Sequence, residues 1–208
     1  MGPLMDAAFC AAWLEAAALA VAAERERLTD LDAAIGDADH GANLDRGFSE
    51  VRQALAAGEP GRPLAVAGVT LIRKVGGASG PLYGSLLRAM GKALGESFTL
   101  DEFAVAFQAG VDEVARLGKA VEGDKTMLDA LGPAARALAG AVRDGAEPRA
   151  GFERAARAAR AGALATVPLV ARRGRASYLG ERSAGHEDPG AASSALIVGA
   201  LVTADGEA

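Results

Sequence analysis

The chain has 208 residues, a formal net charge of −5 and a sequence pI near 5.2: long enough for one well-buried domain, tight for two, and without the electrostatic footprint of a nucleic-acid binder. Half of the residues are hydrophobic but only 4% are aromatic, and Ile is rare while Ala, Leu, Arg and Glu abound, which predicts an all-α chain. A lone cysteine, Cys10, inside an apolar run excludes a disulfide framework and suits a reducing cytoplasm.

Residues 7–23 are apolar, yet no Lys or Arg precedes them and Asp6 and Glu15 interrupt the run. This predicts an amphipathic helix, neither a signal peptide nor a membrane span. Met5 reads as the natural start, with Met1 to Leu4 an addition ahead of it. About eight helices follow. The first runs from Asp6 into the thirties, with a break expected at Leu28–Thr29–Asp30, where Asp or Thr could re-cap it. The second spans about Asn43–Ala57, with Leu44, Phe48, Val51 and Leu55 at 3–4 spacing. GEPGRP (Gly58–Pro63) is a loop. The third helix, about Leu64–Val75, ends in GGASGP, and the fourth, about Leu82–Leu94, starts just after Pro81. The fifth covers Leu100–Leu117, with Asp101 and Glu102 in its first turn. A polar loop, Gly118–Lys125, leads to a sixth helix at Thr126–Val142, and the seventh occupies Arg149–Leu164. A long irregular stretch, Val167–Gly190, precedes the last apolar helix, Ala191–Val202. Connections of that length in compact domains tend to be lids or binding loops.

The chemistry concentrates in these loops. DAAIGDADHGAN, Asp32 to Asn43, sets three carboxylates (Asp32, Asp37, Asp39) within eight residues, broken by glycines. In an extended loop Asp37 and Asp39 point the same way, and Asp32 lies near enough to join them. Hard oxygen ligands without thiolates suit Mg²⁺ better than Zn²⁺; taken alone, the segment also reads as a solvated acidic turn. Gly76–Gly80 offers unobstructed backbone N–H groups and the Ser79 hydroxyl at a helix start, an anion cradle or a close helix–helix turn. It is not a P-loop, since GxxxxGK[ST] is absent. In GDKT, Asp124 or Thr126 is a candidate N-cap and Lys125 reads as solvated. The late loop carries Arg172, Arg173, Arg175 and Arg182 against Glu181, Glu187 and Asp188, and one arginine could grip a phosphate bidentately. His40, inside the acidic loop, is the better functional candidate of the two histidines, the other being His186. Arg154, Arg157 and Arg160 form a basic helix face, solvated or set toward an acidic partner.

LDAAIGDADHGANLDRGF, KVGGASGPLYG, GDKTMLD and GRASYLGERSAGHEDPGA, in that order, closely resemble the nucleotide-binding L subunit of dihydroxyacetone kinase, and the match extends over essentially the whole chain. The resemblance implies a single domain over residues 1–208, a barrel of eight antiparallel amphipathic helices with ADP or ATP held in loops at one end. It implies that Asp32, Asp37 and Asp39 hold two Mg²⁺ ions bridging the phosphates. His40, Gly41, Ala42 and Asn43 would line the phosphate and nucleotide site, and Ala78 and Ser79 would bind phosphate. Gly118, Met127, Arg175, Asp188, Pro189 and Gly190 would complete the pocket, with His40 and Arg175 joining the aspartates in catalysis. Charge arithmetic fits: about −3 from the aspartates and roughly −4 from a triphosphate are offset by about +4 from two Mg²⁺. In the family a separate K subunit holds dihydroxyacetone covalently on a histidine, and in phosphotransferase-system forms a phosphohistidine M subunit rephosphorylates the bound ADP. The chain is therefore expected to act in a complex, with a homodimer compatible with it. The alternatives are a nucleotide-loaded regulatory module, or an ATP-dependent kinase subunit for another small ketose.

Overall fold

The computed structural model describes residues 4–58 and 62–205. Of the Met1–Leu4 segment only Leu4 is described, and the centre of the GEPGRP loop, 59–61, lies outside the described residues. Among the described residues nine α-helices follow one another: α1 (Ala7–Ala23), α2 (Arg25–Ile35), α3 (His40–Ala56), α4 (Pro63–Lys74), α5 (Ser79–Ala93), α6 (Leu100–Gly118), α7 (Leu128–Arg143), α8 (Pro148–Ala165) and α9 (Pro189–Ala204). A 3-10 segment, Arg175–Ser183, sits inside the late loop. The all-α expectation holds, apart from one small antiparallel pair that joins Met5–Asp6 (β1) to Ser97–Phe98 (β2).

The boundaries differ from the sequence reading where local chemistry outweighs propensity. The first helix breaks at Glu24, not at Leu28–Asp30, and the two halves meet at 64°. Thr29 does not re-cap the chain, because its hydroxyl donates to the Arg25 carbonyl one turn back and lets the helix continue. α5 begins at Ser79, two residues before Pro81; a proline in the first turn removes only an N–H that had no helical partner. α6 has a reciprocal cap, with the Thr99 hydroxyl accepting from Glu102 N and the Glu102 carboxylate accepting from Thr99 N.

Packing follows a closed order. α1 contacts α3, each helix from α3 to α8 contacts the next, and α9 returns to both α8 and α1. α2 lies against α3 and α9 at one end. α1 and α9 are apolar nearly all round and supply much of the shared core, joined by the Trp13 indole donating to the Ile197 carbonyl at 2.8 Å. No single helix among the described residues is long and apolar enough to cross a membrane; α1 and α2 meet that measure only as a bent pair.

The few aromatic residues are concentrated. Phe9, Trp13, Phe98, Phe103, Phe107 and Phe152 form one cluster with ring centroids 5.4 to 6.3 Å apart, at the end of α6 where that helix starts. Gly118, at the other end of α6, is roughly 22 Å away at 1.5 Å per residue. The aromatic packing thus fills one end, and the loops at the opposite end are left to carry a site. Phe103 sits at the centre, paired with all five of the other rings, and is fully buried. Phe103→Ala is expected to cost about 3–5 kcal/mol of unfolding free energy, read as a lower urea midpoint with the slope unchanged.

Candidate functional site

The end of α2 begins the site. Asp32 is buried, and its Oδ2 accepts from the backbone N–H groups of Asp39 (2.9 Å) and His40 (3.1 Å). This carboxylate therefore serves the start of α3 from seven residues upstream. Gly36 makes the fold-back feasible, since a Cβ there would stand 2.0 Å from Asp32 Oδ1. The loop between is not extended as the sequence suggested. Ala38 takes φ 62°, a left-handed conformation that costs a non-glycine residue about a kcal/mol or more, and this turn, not a period-two alternation, brings Asp37 and Asp39 together. The three carboxylates offer oxygens all within 4.8 Å of one another. Such an all-oxygen set is what a hard divalent cation such as Mg²⁺ requires.

Asp32, Asp37, Asp39, His40 and Asn43 line one side of a cleft of about 380 Å³. Gly76, Gly77, Ala78 and Ser79, at the start of α5, line a second side, and Gly118, Met127 and the Asp188–Gly190 turn a third. Leu82, Val114, Ala120 and Leu128 add an apolar wall, and Arg175 closes the rim with its Nε 2.9 Å from Asp37 Oδ2. Of the candidate residues, Gly41 and Ala42 are not brought to the cleft. Gly41 faces α2 instead, where a Cβ would meet the Arg25 carbonyl at 2.1 Å, so its task is the close approach of α2 and α3. Asn43 does face the cleft, its Oδ1 held by Arg46 at 2.8 Å.

His40 is buried beneath the cradle, with Nδ1 3.2 Å from Ser79 Oγ and Nε2 2.8 Å from Ser193 Oγ. Burial lowers its pKa below the ordinary histidine range, against Asp32, Asp39 and the Pro189 carbonyl, which pull it up. Tyr83, one turn after Ser79, extends this polar chain to Ser193, Ser194 and the Gly190 carbonyl.

Lys125 is the main departure from the sequence reading. Far from solvated, it is 1% exposed at φ 62°, and its ammonium donates to the carbonyls of Thr166, Leu169 and His186. All three protons are used, which offsets the burial that pushes its pKa down. Asp124 does not cap α7, since it accepts from Val121 N, whereas the Thr126 hydroxyl accepts from Leu128 N and Asp129 accepts in return from Thr126 N and from Gly123 N. Lys125 fastens both ends of the late loop. Glu187, buried at its exit, is gripped by Arg27 at 2.5 Å and Arg160 at 3.1 Å. The basic face of α8 is internally paired, Arg154 with Asp144 and Arg157 with Glu153. Asp188 caps α9 by accepting from Ala191 N at 2.7 Å.

A family model described as the DAK2 domain matches residues 34–203. This chain belongs to the DAK2 domain family. It is 42% identical over 197 residues to the ADP-binding subunit DhaL of the PEP-dependent dihydroxyacetone kinase of Escherichia coli, covering 92% of this chain and 94% of that one. A D-erythrulose kinase of Mycolicibacterium smegmatis is 41% identical over 192 residues, covering 88% of this chain but 33% of its own length. The dihydroxyacetone kinase of C. freundii in complex with AMP-PNP and Mg²⁺ superposes with a TM-score of 0.70 at 25% identity, over 98% of this chain and 35% of that one. The DAK2 match begins just after Asp32 and spans the rest of the acidic loop, the cradle and the late loop.

Asp188 gives the site a pH signature. Burial raises its carboxyl to about 7, with Asp129 adding to the rise and the Ala191 N–H and Lys125 opposing it. The folded chain thus keeps a proton that the unfolded chain loses near pH 4, so this group's contribution to stability falls as pH rises from about 4 to 7, by at most about 1.4 kcal/mol per unit. Asp188→Asn keeps a capping oxygen and is expected to be less sensitive than wild type over that range, measured by urea unfolding of the nucleotide-free chain at several pH values.

Proposed function

We propose that this chain is the ADP/ATP-binding subunit of a PEP-dependent dihydroxyacetone kinase, forming one nucleotide-binding domain that works in the cytoplasm with partner subunits. The observation that carries the reading is the meeting of three oxygen-donor aspartates, a glycine-rich helix start and an arginine-tipped lid around one cleft. The names of its relatives, with an AMP-PNP and Mg²⁺ complex among the structural neighbours, support it.

The residues divide the work. Asp32, Asp37 and Asp39 would hold two Mg²⁺, which when bound neutralise the phosphates and polarise the group to be transferred. The backbone N–H groups at Ala78 and Ser79 add the positive end of α5 to the phosphate side. Leu82, Val114, Ala120, Met127 and Leu128 offer an apolar slot for a flat base. Arg175, a permanent cation on the rim, is placed to exchange Asp37 for phosphate oxygens. Gly118 and the Asp188–Gly190 turn shape the slot's far edge.

Within the cleft lining, Lys125 is committed to three carbonyls and both ring nitrogens of His40 face serine hydroxyls. On this reading dihydroxyacetone is presented by a separate K subunit, and ADP retained in the cleft is rephosphorylated in place by a phosphohistidine M subunit. The match to a D-erythrulose kinase supports a second reading, an ATP-dependent subunit serving another small ketose; exchange of bound ADP for free ATP during turnover separates the two.

Two outcomes test the reading. Asp37 is an exposed loop residue, so Asp37→Ala leaves the helical circular dichroism unchanged, while Mg²⁺-dependent ADP affinity falls by about 100-fold or more in calorimetry. Unaltered affinity would sink the metal assignment. The isolated chain with ATP and Mg²⁺ is expected to form no dihydroxyacetone phosphate until a K subunit is added; appreciable turnover alone contradicts the division of labour.

A further inference from the structure

We propose that Tyr83 is a positioning residue for phosphate binding, acting through Ser193 and His40 to keep the Ser79 hydroxyl free to donate into the cleft. The inference rests on the nucleotide reading of the site and assigns a task to buried groups that do not line the phosphate themselves.

The geometry is a chain of hydroxyls ending on an imidazole. Tyr83 Oη lies 2.7 Å from Ser193 Oγ and 2.8 Å from Ser194 Oγ. Ser193 Oγ lies 2.8 Å from His40 Nε2, and His40 Nδ1 lies 3.2 Å from Ser79 Oγ. Both contacts to the competing acceptor, the Gly190 carbonyl, are longer, at 3.1 Å from Tyr83 and from Ser193. Tyr83, Ser193 and Ser194 are all buried, so water does not stand in for any of them.

Proton counting gives the chain its direction. A phosphate oxygen only accepts, so Ser79 must spend its single proton on it. Nδ1 must then carry a proton and donate to Ser79 Oγ, which makes Nε2 of a neutral ring the acceptor. Nε2 accepts only if Ser193 turns its proton toward it, and Ser193 does so most readily when its own oxygen receives the Tyr83 hydroxyl proton. Ser194 can in turn supply the Tyr83 oxygen. Without the Tyr83 hydroxyl, the Ser193 proton is free to fall back on the Gly190 carbonyl, and the Ser193 oxygen then accepts from Nε2. The imidazole then holds its proton on Nε2, and the Ser79 proton turns inward to Nδ1, away from the phosphate.

The chain has two histidines, which makes the state of His40 readable by nitrogen NMR of ¹⁵N-histidine-labelled full-length protein. Wild type is expected to show His40 protonated at Nδ1, and Tyr83→Phe to move that proton to Nε2. Calorimetry with ADP and Mg²⁺ is expected to give about 10-fold weaker binding for Tyr83→Phe, for Ser79→Ala and for the double variant alike, with adenosine binding unchanged. Ser193→Ala removes the next link and gives the same signature even if the tyrosine variant folds poorly. An unmoved His40 spectrum, additive losses, or an equal loss for adenosine and ADP would overturn the proposal while leaving the nucleotide site standing. Wild type that fails to bind ADP at all overturns both.

Discussion

One buried carboxylate sets the geometry of the functional end. Asp32 accepts the first two backbone N–H groups of the chain returning into α3, and so closes a seven-residue loop around itself. That closure requires glycine at 36 and a left-handed residue at 38, and it leaves Asp37 and Asp39 beside Asp32 with their oxygens converging. Three carboxylates held this close repel one another, and the strain is offset by the helix they start and by the arginine that leans on Asp37. A cation arriving there meets a prearranged ligand set.

The other walls are tied back to the same point. His40, the residue after the last aspartate, reaches under the glycine-rich start of α5 and to the start of α9 through two serine hydroxyls. The late loop is fastened at its base by Lys125, whose three hydrogen bonds span the end of α8 and both sides of the loop, and by Glu187 between Arg27 and Arg160. Its tip, with Arg175, is exposed. Anchored at its base, the loop rests its tip on the acidic side of the cleft, with Ala176 against Ile35 and Arg175 against Asp37. The aromatic cluster packs the opposite end of the helix frame.

Much of this was legible in the sequence because its residues advertise their task. Asp32, Asp37 and Asp39 among glycines, the Gly76–Gly80 run and the Arg175–Gly190 stretch are all departures from helical composition, and the aspartates, Gly76–Ser79 and the two ends of the late stretch face the cleft. What the sequence hid is the supporting framework. Tyr83, Ser193 and Ser194 sit at ordinary helical spacing, and two adjacent serines in an otherwise apolar helix were the only hint of a buried polar chain. Lys125 looks like any loop lysine until the carbonyls of residues 166, 169 and 186, some forty to sixty positions downstream, are brought to it. Gly41 carries a second requirement that its motif did not reveal: the neighbouring helix backbone is only 2.1 Å from where its Cβ would be.

The central claim is that the three aspartates and the glycine-rich cradle form one Mg²⁺-dependent adenine-nucleotide site. Native mass spectrometry of the purified chain with ADP, with and without Mg²⁺, tests it most directly. The account predicts a complex carrying one ADP and two Mg²⁺ that disappears when a chelator is added. A spectrum showing only the bare chain with both in excess, or ADP bound equally well after chelation, would contradict it.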